Sequence, residues 1–264
     1  MCVTTPVCAA YQRLRSGSIA AIAALVLLSY PSVSRAQGGK VSSDINDYIC
    51  SKLDDFTGVM KVVAHDDEAG GKINKDFPMI YQLKGDVKVQ YKEENHLRLD
   101  ARLKTANVIF IVNGTKQVVL AKSIGLHTVN DLGPNPGKRK TLLDVGMVSK
   151  GYLSYSNVEF KGAVNYQGVM CGKFKMWYKD KTDTSFRLVW IDPKTKITLK
   201  REDYSQLGKL NATYTYMNPV EIVPGIWFPS HVAAANNQGQ KAGELSYNDV
   251  KVNQGISEEV FSPK

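Results

Sequence analysis

An alternation of apolar and polar residues with a period of two runs through most of the chain and predicts β-strands. In His96–Arg102, for example, Leu97 and Leu99 face one way while Arg98 and Asp100 face the other. Strand spacing near ten residues, with turn signals in between, is typical of one all-β sandwich or barrel, here of about eleven strands in a single domain over 37–264. Further segments with strand character are Phe56–Val63, Met79–Lys84, Val87–Lys92, Ala106–Val112, Gln117–Ala121, Val158–Tyr166, Val169–Tyr178, Ser185–Ile191, Ile197–Tyr204, Leu210–Met217, Ile226–Ala234 and Gly243–Val252.

Two stretches follow a helical period instead. Thr141–Tyr155 is predicted to form one or two short helices, weakened by two glycines. Val41–Asp54 is predicted to form an N-terminal helix that Ser43 or Asp44 can cap. One face of that helix would carry Ile45, Tyr48, Ile49 and Leu53.

Glycine, proline and asparagine mark the predicted turns. Gly85-Asp86 and Asn113-Gly114 are two-residue hairpin signals, and Asn218-Pro219 is predicted to be a turn between strands. His65–Asp76 is acidic and rich in glycine, and Asp131–Lys140 holds two prolines and two glycines, so both are predicted to be loops.

The strands Ala106–Val112 and Gln117–Ala121 are apolar at both odd and even positions. Both faces of such strands must be covered. A second sheet or a helix can cover one face, and a helix or a ligand can cover the other. A barrel large enough to leave space inside can enclose one apolar ligand, and a filled core satisfies the same pattern. From the alternation alone, a filled core is favoured over an open cavity.

Residues 1–36 are predicted to be a secretory signal peptide. Two arginines precede Ile19–Leu28, an apolar run of ten residues, whereas a membrane span needs about 20. Ser34 and Ala36 are the small residues at positions −3 and −1 of a cleavage site, so cleavage is expected after Ala36. The alternative is an uncleaved membrane anchor. Because no cysteine follows the apolar run in the position used for lipidation, we expect a mature periplasmic protein without a lipid anchor.

The charge of the chain argues against a nucleic-acid partner. Lys and Arg number 34 against 25 Asp and Glu, a net charge of +9, and loss of residues 1–36 leaves 31 basic and 25 acidic residues. This surplus is dispersed, with its densest stretch at Lys138-Arg139-Lys140 in a predicted loop, whereas nucleic-acid-binding proteins concentrate charge on one face. The positive net charge is also compatible with transient contact between the protein and an anionic membrane surface.

Two cysteines remain after cleavage, Cys50 and Cys171. In an oxidising compartment they could form one disulfide, which would tie the N-terminal helix to the middle of the sheet. The alternative is a pair of buried thiols, and the sequence does not decide between the two.

Motifs for catalysis or metal binding are weak or missing in the sequence. It contains no G-x-S-x-G, H-E-x-x-H, phosphate-loop or dinucleotide-binding motif. His65-Asp66-Asp67-Glu68 offers oxygen and imidazole ligands, but a solvated loop explains it better. We therefore expect no enzyme activity, no metal site and no cofactor.

Short segments in the second half form a recognisable pattern. Trp190–Thr195 reads WIDPKT, Leu199–Tyr204 reads LKREDY, and Gly225–Pro229 reads GIWFP. This pattern resembles the outer-membrane lipoprotein-sorting family, the LolA/LolB-like superfamily that also includes RseB-type regulators. In that family a strand ending in W-I-D turns into one with basic and acidic residues, and a later strand reads G-x-W-x-P. The resemblance extends over most of 41–261, more loosely in the first half.

The resemblance implies an incomplete, half-open antiparallel β-barrel with helices on its concave side, which holds acyl chains in a hydrophobic cavity. We therefore expect a non-enzymatic carrier whose ligand is a lipid or an acylated protein, with an envelope protein that delivers or accepts the cargo as a further partner. The candidate lid residues, in the mid-chain helix, are Leu142, Leu143, Met147 and Val148. The candidate cavity residues are Leu97, Leu99, Ile109, Ile111, Val118, Leu120, Phe174, Met176, Leu188 and Trp190.

One difference from the family pattern prevents us from assigning the family's lid residue to a position in this chain. The family's carriers have a basic residue followed by proline in the strand before the Asp-Gly hairpin, whereas Tyr91–Arg98 lacks that proline. Two alternatives to the carrier therefore stay open: a periplasmic sensor or regulator that binds a protein partner, and a structural envelope protein with a filled core. The carrier predicts a deep apolar pocket under 141–155, and Met147→Asp should then abolish acyl binding with little loss of fold.

Overall fold

Thirteen strands form one antiparallel sheet in the computed structural model, which describes residues 40–75, 77–103 and 105–263. The predicted signal peptide and its predicted cleavage point after Ala36 lie outside the described residues. The strands are β1 (Asp55–His65), β2 (Lys84–Lys92), β3 (His96–Arg102), β4 (Asn107–Asn113), β5 (Lys116–Ala121), β6 (Leu126–Asp131), β7 (Ser156–Tyr166), β8 (Val169–Tyr178), β9 (Phe186–Ile191), β10 (Thr198–Tyr204), β11 (Leu210–Val223), β12 (Ile226–Asn236) and β13 (Lys241–Val252). Helices α1 (Asp67–Gly71) and α2 (Phe77–Tyr81) lie between β1 and β2, and α3 (Lys150–Ser154) precedes β7.

The strand order is β6-β5-β4-β3-β2-β1-β13-β12-β11-β10-β9-β8-β7. The chain therefore runs in two meanders, which join where β1 pairs with β13 in the middle of the sheet. β6 and β7 form the two edges and do not pair with each other. The sheet is an unclosed, half-open barrel, which confirms the mainly β fold class, with thirteen strands rather than about eleven.

The chain must cross from one edge of the sheet to the other between β6 and β7. Residues 132–155, which we call the crossover segment, make this connection. Two 3-10 helices in the segment, Pro136–Lys138 and Leu142–Val145, precede α3. Thr141 and Asp144 form a capping box at the second of these helices, which ends at Gly146 in a left-handed conformation.

The two faces of the sheet differ in what covers them. We call the face that contacts the crossover segment the inner face, and the opposite one the outer face. Inner-face side chains form two buried clusters, a larger one that includes Phe56, Tyr91 and Tyr216, and a second one around Phe174 and Met176. A third and smaller cluster lies on the outer face of β4 and β5.

The N-terminal helix predicted over Val41–Asp54 is wrong. A 3-10 helix of four residues, Ile45–Tyr48, takes its place, and Ile49 is already extended. This single turn brings the Tyr48 ring to 5.0 Å from the Phe174 ring, centroid to centroid. Tertiary packing of one aromatic residue therefore outweighs the helical pattern around it.

The region between β1 and β2 also differs from the prediction. Met79–Lys84 is not a strand, because α2 ends at Tyr81 and β2 begins at Lys84. Gly85-Asp86 lies inside β2 rather than at a hairpin, and α1 occupies part of the loop predicted over His65–Asp76. Tyr81 belongs to the larger inner cluster, so burial of aromatic residues again explains the local structure.

Elsewhere most turn predictions are confirmed. Asn113-Gly114 joins β4 and β5 as expected. The turn predicted at Asn218-Pro219 is wrong, because β11 continues through these residues to Val223. The chain turns into β12 at Pro224-Gly225 instead. β6 was not predicted, and all six of its residues are exposed. Among the described residues, no helix has both the length and the apolar character needed to cross a membrane.

Candidate functional site

The crossover segment fills the inner face of the half-open barrel. All four predicted lid residues are buried, with exposed fractions of 3% or less. Leu142 and Met147 join the larger inner cluster, whereas Leu143 and Val148 pack with Phe174 in the second. The segment therefore bridges the two clusters and packs these four residues against the inner face.

The crossover segment packs directly on the sheet at the place where a deep apolar pocket was expected under 141–155. A cavity of about 40 Å³ lies beside the segment, between Cys50, Leu142, Val148 and Lys150, which is room for a few water molecules. Met147 is 1% exposed and pairs with Ile197 as an isolated β-bridge. Met147→Asp would therefore bury an unpaired carboxylate and destabilise the fold, so this substitution cannot report on a lid alone.

Four of the ten predicted cavity residues lie on the inner face. Leu97 and Leu99 belong to or pack against the larger cluster, and Phe174 and Met176 are fully buried in the second. The strands β3 and β8 present these residues toward the crossover segment. A ligand in the position of that segment would contact them.

The other six predicted cavity residues lie on the outer face, so their assignment to an inner cavity is wrong. Strand register decides this, because paired residues share a face: Leu97 pairs with Val112, which leaves Ile111 on the opposite side. In β9, Val189 pairs with Phe174 on the inner face, which places Trp190 outside. The six residues are Ile109, Ile111, Val118, Leu120, Leu188 and Trp190.

Two different coverings protect five of these six outer-face residues, all except Leu188. Ile256 and Phe261, near the C-terminal end of the chain, cover the cluster on β4 and β5. The buried Asp55 carboxylate fixes this tail by accepting the backbone N–H groups of residues 254–256, at 2.7 to 3.0 Å. Trp190 is covered instead by Lys173 and Lys200, whose Nζ atoms lie 4.5 and 4.6 Å from its ring centroid.

Charged and hydroxyl side chains of the inner face bind the crossover segment. Arg201 Nη1 donates to Leu143 O at 3.1 Å and lies 3.3 Å from Asp144 Oδ1. The Tyr216 hydroxyl donates to the same carbonyl at 2.9 Å. We call these contacts, together with the hydrogen bond of 2.8 Å from Arg187 Nη1 to the Tyr152 hydroxyl, the polar latch.

A second set of contacts fixes the end of the segment. Glu93 Oε1, in the β2–β3 turn, accepts the Gly151 N–H at 3.0 Å, and its Oε2 accepts the Tyr91 hydroxyl. The Gly146 carbonyl accepts the Thr198 N–H at 2.8 Å. The segment is therefore held by a small number of directional hydrogen bonds in addition to its apolar packing.

The polar latch is electrostatically coupled. Burial alone would raise the pKa of Asp144, but Lys140, Arg201 and Arg187 outweigh it and hold the pKa below its ordinary value. Burial would likewise lower the pKa of Arg201, but Asp203, among other groups, holds it well above its ordinary value. Both groups are therefore ionised together at neutral pH.

The lowered pKa of Asp144 sets the sign of an acid response. Its ionic contribution to the free energy of unfolding is complete above about pH 4 and is lost as the pH falls through the lower folded-state pKa. We expect wild type to exceed Asp144→Asn by a constant free energy between pH 5 and 8, and by less below about pH 4. Urea unfolding across this range measures the difference. If the difference in unfolding free energy between wild type and Asp144→Asn instead grows as the pH falls, the ionic role of Asp144 in the polar latch is contradicted.

The two cysteines are free thiols in the structure. Cys50 is half-buried and Cys171 is fully buried, and burial raises the pKa of both, that of Cys171 to about 12. Of the two alternatives that the sequence left open, the structure has the unpaired thiols, in their protonated and unreactive form.

Among the residues that the structure describes, no group of three or more His, Cys, Asp or Glu side chains is placed to hold a metal ion. His65 lies near Asp67, 3.9 Å from its carboxylate, in the exposed part of the β1–α1 connection.

Sequence reasoning did not identify the charged residues of the inner face. Arg187 lies between Phe186 and Leu188, and Asp144 lies between two apolar residues, so a charge flanked by apolar neighbours was the available signal. Arg201 gives no such signal, because Lys200 and Glu202 flank it. Its burial follows from the register of β10 against β9 and β11, which pairs it with Val189 and Tyr214.

A half-open antiparallel barrel whose two edges are joined across the inner face by a partly helical segment is a LolA-like fold. The resemblance seen in the sequence is confirmed at this level. Solved structures with the same fold are similar to this chain over most of their length, but at 12 to 16% sequence identity.

Three such structures illustrate the similarity. A DUF1329 family protein from Desulfovibrio piger has a TM-score of 0.56 at 12% identity, over 81% of this chain and 91% of that one. An outer membrane lipoprotein-sorting protein domain from Vibrio parahaemolyticus has a TM-score of 0.56 at 15% identity, over 82% and 92%. A LolA superfamily protein from Nitrosomonas europaea has a TM-score of 0.55 at 16% identity, over 82% and 94%.

Comparison by sequence adds less. A family model described as an uncharacterized protein matches residues 143–264, which begins inside the crossover segment and continues through β13. No curated protein matches the chain. The comparisons therefore show the fold and leave the activity to be inferred from the site.

Proposed function

We propose that this protein is an exported, non-enzymatic binder of acyl chains, which it holds on the inner face after the crossover segment moves aside. The observation that carries the proposal is the position of that segment. Its buried side chains occupy the concave space of a half-open barrel, where a bound acyl chain would otherwise lie. Its attachment through a polar latch is compatible with reversible displacement.

Apolar burial by the segment and by an acyl chain is of similar size. Six apolar side chains of the segment are at least 95% buried, Leu142, Leu143, Val145, Met147, Val148 and Tyr152. At ~1.5–3 kcal/mol each, their burial contributes roughly 9–18 kcal/mol. A chain of about sixteen carbons, at ~0.8 kcal/mol per CH₂, contributes roughly 12 kcal/mol. Binding would therefore be an exchange of one apolar group for another, with a modest net affinity suited to a carrier.

The surface exposed by displacement suits an acyl chain. Phe174, Met176, Val189 and Ile191 lie side by side on β8 and β9 and pack against Leu143 and Val148. Met176 adds a flexible and polarisable side chain that can adapt to different ligands. This strip is the predicted acyl-chain site, and it contains two of the residues that the sequence analysis identified.

Native mass spectrometry with solvent extraction tests the proposal, using mature protein purified from a periplasm. We expect a co-purified lipid, fatty acid or acylated peptide, or uptake of a fluorescent fatty-acid probe by the unliganded protein. A clean unliganded mass together with no probe uptake would refute acyl binding.

The filled inner face itself favours one alternative, a structural envelope protein that binds nothing. The same experiment separates the two, because a permanent core excludes the probe under all conditions. Probe uptake that increases when the polar latch is weakened would exclude a permanent core. Absence of uptake in latch variants that remain folded would support the structural alternative.

A further inference from the structure

We propose that the ligand of the inner face carries an anionic headgroup, which takes the place of the Asp144 carboxylate beside Arg201 when the crossover segment is displaced. This inference rests on the proposed acyl-chain site and adds the chemical class of its ligand. Fatty acids and lipids with a phosphate head share the required chemistry.

The two arginines of the inner face lie beside two carboxylates only while the segment is in place. Arg201 is 2% exposed, and its Nε lies 3.0 Å from Asp203 Oδ1. Arg187 shares that carboxylate, with Nε 3.4 Å from the same oxygen. Asp144 is the second carboxylate of the group, 3.3 Å from Arg201 Nη1, and it belongs to the crossover segment. Displacement therefore leaves two arginines with one carboxylate.

The groups that lose their partners in the polar latch are donors. Arg201 Nη1 and the Tyr216 hydroxyl both lose Leu143 O, and Arg187 Nη1 loses the Tyr152 hydroxyl. A buried, uncompensated positive charge with unpaired donors is unfavourable, and an anion with several acceptor oxygens satisfies both requirements at once.

The remaining contacts do not reverse this balance. Glu93 also loses a partner, the Gly151 N–H, but it belongs to the β2–β3 turn and keeps its hydrogen bond from the Tyr91 hydroxyl. The Arg201 guanidinium carbon lies 4.0 Å from the Tyr214 ring centroid, a contact within the sheet that persists. Tyr214 therefore helps to hold the guanidinium on the inner face after displacement.

The test compares ligands of equal chain length that differ in headgroup. Dodecanoate, dodecyl phosphate and uncharged monododecanoyl glycerol compete with a fluorescent acyl probe on the full mature chain. We expect both anionic ligands to compete about tenfold or more better than the uncharged one, as a charge-assisted hydrogen bond would produce. Inorganic phosphate alone should not compete, because it lacks the acyl chain.

Variants then assign the selectivity to the inner face. Arg201→Gln is expected to bring the anionic and uncharged ligands to within about twofold of each other, because it removes the cation that meets the headgroup. Asp144→Asn weakens only the closed form, so it should raise the apparent affinity of both kinds of ligand alike and leave their ratio unchanged. Lys173→Gln, which removes a cation from the outer face, is the matched control and should keep wild-type selectivity. If Arg201→Gln does not fold, as judged by circular dichroism, the comparison of charged and uncharged ligands on the wild-type protein decides the outcome.

The possible results distinguish a failure of the headgroup proposal from a failure of the acyl-chain site. Equal binding of charged and uncharged ligands by wild type would overturn the headgroup and leave the acyl-chain site standing. Unchanged selectivity in a folded Arg201→Gln variant would also overturn it. Competition by inorganic phosphate as strong as that by dodecyl phosphate would make this an anion site without a chain. Failure of every ligand and of the probe to bind would refute both proposals.

Discussion

Oxidation of an E94C/G151C pair is expected to abolish acyl binding reversibly. A Cβ built on Gly151 lies 3.3 Å from the Glu94 Cβ, and a disulfide needs about 3.5–4.5 Å, so a small shift suffices. The bond would fix α3 to the β2–β3 turn and keep the crossover segment on the inner face. Since apparent affinity scales with the fraction of open molecules, we expect a loss of about a hundredfold or more.

Fluorescent probe titration of the oxidised and reduced forms measures this effect. The variant is made in a Cys50→Ser background, which removes the half-buried native thiol, and mass spectrometry verifies the cross-link. Reduction should restore wild-type affinity and serves as the internal control, together with the single variant E94C. Undiminished binding by fully oxidised protein would show that the acyl site, if present, lies elsewhere.

Gly146→Ala is expected to lower the free energy of unfolding by roughly 2–5 kcal/mol, combining backbone strain and overpacking. Gly146 has φ +97°, and a Cβ there would lie 2.6 to 3.1 Å from the Tyr216 ring. Gly114, with φ +61° and nothing within 4 Å of its Cβ position, is the matched control. Gly114→Ala therefore carries the strain without the collision, and should cost about 1–2 kcal/mol.

Urea unfolding of the two variants isolates the close contact between the crossover segment and the inner face. Tyr216→Ala removes the colliding ring, so the double variant Gly146→Ala/Tyr216→Ala should lose less than the sum of the two single losses. Equal losses in Gly146→Ala and Gly114→Ala would mean that the segment is not closely packed at this point in solution.

Strands with strict alternation were predictable from the sequence. β3 was predicted at its observed bounds because its polar and apolar residues alternate without interruption, and the β4–β5 hairpin was predicted from Asn113-Gly114. The burial of the crossover segment follows from its apolar residues, because in a protein made mostly of strands they are covered by packing on the sheet.

The sequence analysis assigned six residues of β4, β5 and β9 to the wrong face of the sheet, and the reason is physical. In β4, β5 and β9 both sets of alternating positions are apolar, so local sequence cannot tell which set faces the crossover segment. Register against the neighbouring strands settles it, as for Ile111 and Trp190, and register is a long-range property. The polar latch was missed for the same reason, because Arg201 meets Asp144 only through the folded sheet.

The pairing of β1 with β13 has a consequence for how the molecule assembles. β1 to β6 and β7 to β13 can each form by local hairpins, but the two halves are joined by a contact between residues such as Phe56 and Val252, at opposite ends of the folded chain. Such a contact closes late and slowly, because it carries the largest loop-closure entropy. β13 lies between β1 and β12 in the middle of the sheet. A chain that ends before β13 would therefore form two separate half-sheets, β1 to β6 and β7 to β12, and would not form a barrel that lacks only an edge strand.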